Sequence, residues 1–142
     1  MSDAQATHAA KTALEFLDAM PFARLLGIRP LQMTPGEVRG TMDWTSERCT
    51  LLGILHGGAL MSFGDTLGAL CAVLNLPPGT STSTIESKTN FFRAVREGFV
   101  EGTSRPLHVG RTTIVVQTDI RDREGRRVAQ VTQTQAVLPP RA

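Results

Sequence analysis

His56, Gly57 and Gly58 stand together at the head of an apolar segment, and Asp65 lies inside that segment between Gly64 and Thr66. These are the residues of the chain whose types and spacing could do chemistry. A carboxylate taken out of water loses several kcal/mol of solvation or has its pKa forced upward, so an apolar run rarely holds one without a partner or a task. A glycine pair at a helix N-terminus leaves backbone N–H groups free, and the helix dipole adds positive potential there. Such a site can hold an anion, polarise a carbonyl, or stabilise the oxyanion formed when a carbonyl is attacked. Asp65 could then act as the general base for a water or as the nucleophile itself. Together these groups describe hydrolysis of an acyl group. Ser62 has the type of a nucleophile but lacks the glycine-flanked elbow that would present it.

Each residue also has a purely structural reading. Gly57 and Gly58 could form only a tight turn, and His56 could be a structural histidine with its hydrogen bonds satisfied. Asp65 could cap a second helix after a break near Gly64, since Asp is a good N-cap. Geometry separates these readings from the chemical one. A helix starting near Gly57 puts Asp65 eight residues along it, which is about 12 Å at 1.5 Å per residue. One carbonyl cannot touch both ends of that span within a single chain. If both groups act on it they come from two chains, with their helices antiparallel about a two-fold axis. Gly64 and Gly68, four apart on one helical face, are expected to admit that close approach.

The elements that would position these groups follow from pattern. Residues 8–20 place Ala10, Ala13, Leu14 and Leu17 on one helical face, and Pro21 ends that helix. Residues 22–26 form another short turn. Residues 28–33 and 37–44 read as strands joined at Thr34-Pro35-Gly36, with Pro30 suiting an edge position. The longest apolar run, residues 56–76, is rich in alanine and leucine and reads as a helix closed by Pro77-Pro78-Gly79. It is apolar nearly all round, which predicts burial on most sides. Residues 80–92, 99–106, 112–121 and 127–138 are strand-like and make three or four antiparallel strands, with a hairpin loop at Asp122-Arg123-Glu124-Gly125. The expected fold is α+β, a single domain in which an antiparallel β-sheet wraps around one long central helix. An N-terminal helical segment, residues 1–21, precedes the domain proper at residues 22–142.

Composition narrows the partners. The chain of 142 residues suits one core, and its net charge of +2 does not argue for nucleic acid. Its basic residues are nearly all arginine and are spread along the sequence; arginine suits bidentate phosphate recognition. Two cysteines make neither a disulfide framework nor a zinc site, and Cys71 reads as a small core residue. No apolar leader region opens the sequence and no segment has the length to span a membrane, so the expected compartment is the cytoplasm.

Gly53-Ile54-Leu55-His56-Gly57-Gly58 followed by Asp65-Thr66 resembles the signature of hotdog-fold acyl-CoA thioesterases. The nearest branch is the phenylacetate-pathway (PaaI-like) group, related to one type of 4-hydroxybenzoyl-CoA thioesterase. The resemblance extends to Asn90-Phe91-Phe92-Arg93 and to Gly110-Arg111-Thr112, and covers roughly residues 22 to 138. It implies that Asp65 is the catalytic carboxylate and that the Gly57 N–H, oriented with help from His56, polarises the thioester carbonyl. It further implies that these two come from different subunits of a homodimer, and that two dimers pair as a tetramer. Gly58 and Thr112 belong with the substrate-binding residues, and Arg93, Arg96 and Arg111 are candidates to meet the coenzyme A phosphates. Family members often carry Asn or Gln six residues before the histidine, where this chain has Thr50; Thr84 matches a position whose hydroxyl can hold the water. No cofactor is implied, coenzyme A being part of the substrate, and the acyl group is expected to be aryl or arylacetyl. The competing readings are a hotdog-fold enoyl-CoA hydratase or dehydratase, and a non-catalytic acyl-CoA-binding module.

Overall fold

A computed structural model describes residues 11, 14, 15 and 17–140. The expected first helix lies partly outside these residues, Ala10 and Ala13 among them. Of the other two residues on its expected face, Leu17 is buried at 2% exposure and Leu14 is 42% exposed. Pro21 ends that segment and begins the short helix α1 (Pro21–Leu25), where its missing N–H costs nothing and its fixed φ suits the first turn.

The strands β1 (Arg29–Thr34) and β2 (Glu37–Asp43) form a hairpin closed at Thr34↔Glu37. Two 3₁₀ turns, Ser46–Arg48 and Leu51–Gly53, lead into helix α2 (Gly57–Val73). Four strands follow: β3 (Ser81–Phe91), β4 (Phe99–Val109), β5 (Thr113–Asp122) and β6 (Arg127–Leu138). All pairings are antiparallel in one six-stranded sheet of order β1-β2-β4-β5-β6-β3. The chain thus places β3, the strand after the helix, on the edge opposite β1, and Pro30 does sit on an edge strand.

Two boundaries differ from the sequence reading by more than one residue. The helix stops at Val73, not 76, because the Asn75 side chain donates from Nδ2 to the Cys71 carbonyl and to the Pro35 carbonyl, each at 2.8 Å. That amide satisfies a free helix-end carbonyl and ties the end to the β1–β2 hairpin. The strand expected to stop at Pro106 continues to Val109, with a bulge between Pro106 and His108. The β2 register has already ended at Val38↔Ser104, so Pro106 has a partner strand on one side alone, at Val116 of β5, as at an edge position.

The helix lies in the curve of the sheet, with Leu60, Phe63, Leu67 and Leu70 in the core. Its approach to the sheet rests on glycines from both sides. Gly40 and Gly102 are cross-strand partners, and a Cβ on Gly102 would stand 2.6 Å from Leu67 Cδ1. On the helix, a Cβ on Gly64 would stand 2.5 Å from Val131 Cγ2, and one on Gly68 would stand 2.2 Å from Gln133 Oε1. This corrects the expectation that the Gly64–Gly68 face receives a partner helix. Spacing identified the face, but its space is filled by β6 of the same chain, so any second copy must meet another surface. Gly64→Ala is therefore expected to destabilise by about 1–3 kcal/mol through overpacking, despite alanine's better helix propensity. Gly36→Ala, which meets nothing within 4 Å, is the control. Urea unfolding checks this, and equal midpoints for the two variants would contradict it.

Candidate functional site

His56 is the N-cap of α2, in extended conformation (φ −65°, ψ 135°), and its Nδ1 accepts the Gly58 N–H at 2.7 Å. The bond fixes the imidazole over the helix start and leaves Nε2 to carry the proton when the ring is neutral. His56 itself is held by its N–H donating to the Arg48 carbonyl at 2.8 Å. Of the two glycine N–H groups, that of Gly58 is thereby committed to His56 and is not available to an anion. That of Gly57 donates to no group among the described residues, so it is the one that can polarise a ligand oxygen.

The preceding loop is braced for this purpose. Leu55 donates its N–H to the Val95 carbonyl and Thr50 to the Ile54 carbonyl, each at 2.8 Å. Trp44 Nε1 donates to the Gly53 carbonyl at 3.0 Å. Leu52 holds a left-handed conformation (φ +63°) that a leucine rarely adopts. Its carbonyl accepts from Arg96 Nη1 at 2.8 Å, so Arg96, expected among the phosphate-binding residues, has a structural partner in this turn.

Two clefts flank the helix start. The smaller, about 330 Å³, brings together Gly57, Thr50, Phe91, Phe92 and Arg93. The Phe91 ring lies against Gly57, where a Cβ would meet Cζ at 3.2 Å. The larger cavity, about 770 Å³, is lined by Phe22, Leu25, Leu26, Cys49, His56 and Ala59, among others. Ser62 also borders it, but its hydroxyl donates to the Gly58 carbonyl at 2.8 Å. Arg111 and Thr112 lie in the β4–β5 turn and border neither cleft, Thr112 accepting the Val137 N–H at 2.9 Å.

Asp65 borders neither cleft. The helix runs unbroken through it, which removes the reading of Asp65 as the cap of a second helix. Its side chain is half-buried against β3 and β6. Thr84 Oγ1 donates to Oδ1 at 3.4 Å, and Gln133 Nε2 donates to the same oxygen at 3.0 Å. Burial pushes the Asp65 carboxyl above the usual carboxylate range, and the Thr84 and Gln133 donors hold it back in part. Gln133 and Gln135 are both fully buried, and neither was singled out from the sequence. The signal was present: they follow Val131 on β6 at steps of two, and Val131 is on the core side, so the strand period already turned both amides inward.

Residues 52–129 match the model of the thioesterase superfamily. The chain is similar to 1,4-dihydroxy-2-naphthoyl-CoA hydrolase of Escherichia coli, 31% identical over 131 residues that cover 90% of this chain and 96% of that protein. Among solved structures it is similar to a thioesterase from Haemophilus influenzae (TM-score 0.83, 28% identity, covering 89% of this chain and 88% of that one). A hypothetical thioesterase protein from Streptococcus pneumoniae, solved with coenzyme A, matches with TM-score 0.73 and 28% identity over 81% of this chain and 88% of that one.

The raised Asp65 carboxyl has a consequence for stability. A carboxyl whose folded pKa lies above its unfolded value costs the fold nothing below the unfolded value. Stability is then lost as pH rises through the folded value. Asp65→Asn, whose carbonyl can still accept from Thr84 and Gln133, removes that loss. Its Tm is expected to exceed wild type at about pH 7, and the difference to close toward about pH 4, near the ordinary Asp value. Thermal melts across that range check this, and a gap that does not depend on pH would contradict it.

Proposed function

Because this chain belongs to the thioesterase superfamily and has its hotdog fold, we propose that it hydrolyses an aryl- or arylacetyl-CoA thioester at composite sites, each joining Gly57 of one subunit to Asp65 of another. The chain is an acyl-CoA thioesterase; the proposal concerns which residues act, on which acyl group and in what assembly. The observation that carries it is the separation of the two functional groups on one rigid element. The free Gly57 N–H opens α2 and Asp65 lies eight residues further on, about 12 Å along the axis.

In this reading the thioester carbonyl oxygen accepts the Gly57 N–H, where the helix dipole favours the charge that builds as the carbonyl is attacked. Asp65 of the other subunit takes a proton from water as the C–O bond forms, then returns it to the thiolate released as the C–S bond breaks. Direct attack by Asp65, with hydrolysis of the resulting anhydride, is the other route open to it. The raised Asp65 carboxyl suits a base more than an ordinary surface aspartate would. Thr50, beside Gly57 in the smaller cleft, offers a hydroxyl to the substrate, and Arg93 at the same cleft offers a cation to the coenzyme A phosphates.

An assembly of two chains is supported by the sheet edge. β3 is an eleven-residue edge strand with Ile85 60% exposed, and long edge strands with apolar side chains invite pairing. Thr84, bonded to Asp65, lies on that strand, so a second copy docked there would bring its own helix start toward Asp65. A pair of such dimers is the larger assembly that the family resemblance suggests. An aryl group is favoured by Phe22, Leu25, Leu26 and Ala59 in the larger cavity, whose lining also holds Glu47 and Arg48, and by the naphthoyl-CoA substrate in the name of the Escherichia coli relative.

Thiol release should be measured across aryl-, arylacetyl- and straight-chain acyl-CoAs. Aryl or arylacetyl substrates are expected to give the highest kcat/KM, and Asp65→Asn to lower kcat by about 10² or more, the scale for losing a positioned base. Full activity in Asp65→Asn would overturn the assignment of Asp65, and a preference for straight chains would overturn that of the acyl group.

A further inference from the structure

Among the described residues, Asp65 is held from one side only. Both of its side-chain donors, Thr84 Oγ1 at 3.4 Å and Gln133 Nε2 at 3.0 Å, converge on Oδ1. Gln133 Nε2 also lies 3.3 Å from the Asp65 carbonyl oxygen. The direction of these bonds is set further back. Gln135 Nε2 donates to Thr84 Oγ1 at 2.8 Å, while its Oε1 accepts from Thr82 Oγ1 at 3.1 Å. With a lone pair of Thr84 already engaged, its hydroxyl hydrogen is directed at the carboxylate. Gln133 must likewise turn its nitrogen to Asp65, since its oxygen would oppose a carboxylate lone pair.

This arrangement carries a stability penalty. Gln133 is 0% exposed, and its Oε1 has no hydrogen-bond partner among the described residues. An amide left half-satisfied in a core is worse than an apolar side chain of the same shape. The helix also gives up a side chain at Gly68, where a Cβ would stand 2.2 Å from that same Oε1. Two positions are therefore held away from better packing, and what they achieve together is an amide nitrogen that donates to Asp65, at Oδ1 and at its backbone carbonyl.

We infer that Gln133 is a positioning residue for the reaction: with Thr84 it anchors Oδ1 of Asp65 and leaves Oδ2 as the oxygen that takes the proton or attacks. The inference rests on the reading of Asp65 as the catalytic carboxylate. The surroundings make Gln133 and Thr84 the groups through which that carboxylate is tuned. From β3 the inward residues beside it are Thr84, Ser87 and Thr89; Glu86 and Lys88 pair with Thr134 and Thr132 on the outer face. From β6 they are Val131, Gln133 and Gln135, and α2 carries no other charged residue. Burial, Thr84 and Gln133 are what shift the carboxyl, and among the described residues no charged neighbour does so.

The test is the pH profile of kcat/KM for thiol release, read in the full-length protein. Gln133→Met fills the space but withdraws a donor that favours the ionised carboxylate. The acid limb should therefore move to higher pH, and kcat should fall about ten- to hundredfold with KM little changed, as expected for a misplaced reacting group. Thr84→Val should move the limb in the same direction, and Thr84→Ser, which restores the hydroxyl, should bring it back. In the Asp65→Asn background, Gln133→Met should cost nothing further, because the two residues act as one unit. Should Gln133→Met fail to fold, Gln133→Asn, which withdraws the amide by one methylene, is expected to give the same displacement. An unmoved acid limb in a folded Gln133 variant, with Asp65→Asn inactive, would overturn this inference and leave the Asp65 reading intact. Full activity in Asp65→Asn would overturn both.

Discussion

A single carboxylate lies midway along a helix whose other sixteen residues carry no charge, and the surrounding structure is arranged around that placement. Apolar packing alone would favour a helix resting on an apolar strand. Here β6 instead presents Gln133 beside Val131, and β3 presents Thr84, so that the ionised form of Asp65 has donors within reach. Those donors require close approach, and Gly64 and Gly68 permit it. The balance is incomplete by design of the surroundings: burial raises the carboxyl more than the two donors lower it, which leaves a basic carboxylate at the surface of a core.

The helix also acts as a ruler. Its N-terminus supplies the Gly57 N–H, aimed into a cleft by the His56 cap and by Phe91 against it. Asp65 faces β3 and β6 two turns further on. No rotation of a side chain brings these groups together, because the separation is set by backbone rise. On the proposed reading, the same rigidity that fixes the Gly57 N–H leaves a single chain without a complete site, and the exposed edge of β3 is the surface on which a second copy would complete it.

Much of this was legible in the sequence. The long helix, the two strands before it and the strand-like character of the segments after it followed from apolar periodicity and from glycine and proline punctuation, although the number of later strands, four, was settled only by their pairing. The His56–Asp65 spacing marked the candidate site because few patterns place a glycine pair and an isolated carboxylate on one apolar helix. Other features were not legible, for physical reasons. Spacing placed Gly64 and Gly68 on one face without saying what fills the space, and that proved to be Val131 and Gln133. Arg96 reads as a free cation until the strained turn at Leu52 is seen to use it. Gln133 and Gln135 resemble ordinary strand glutamines unless the inward face of β6 is tracked through Val131. The loop from Thr45 to Leu55 has no periodicity, so its cavity-lining role comes only from tertiary contacts.

The central claim is that each site is shared between two chains, and subunit complementation tests it most directly. Gly57→Pro removes the N–H donor at a position where proline is tolerated, and the extended His56 that precedes it suits a proline neighbour. The exposed Phe91 ring, half open to solvent, can yield to the added atoms. Gly57→Pro and Asp65→Asn chains, each inactive alone, can be co-expressed with different affinity tags and the mixed dimer isolated. In that dimer one site combines an intact Gly57 with an intact Asp65 while the other has lost both, so about half of the wild-type activity per dimer is expected. A mixed dimer as inactive as its parents would contradict the shared site.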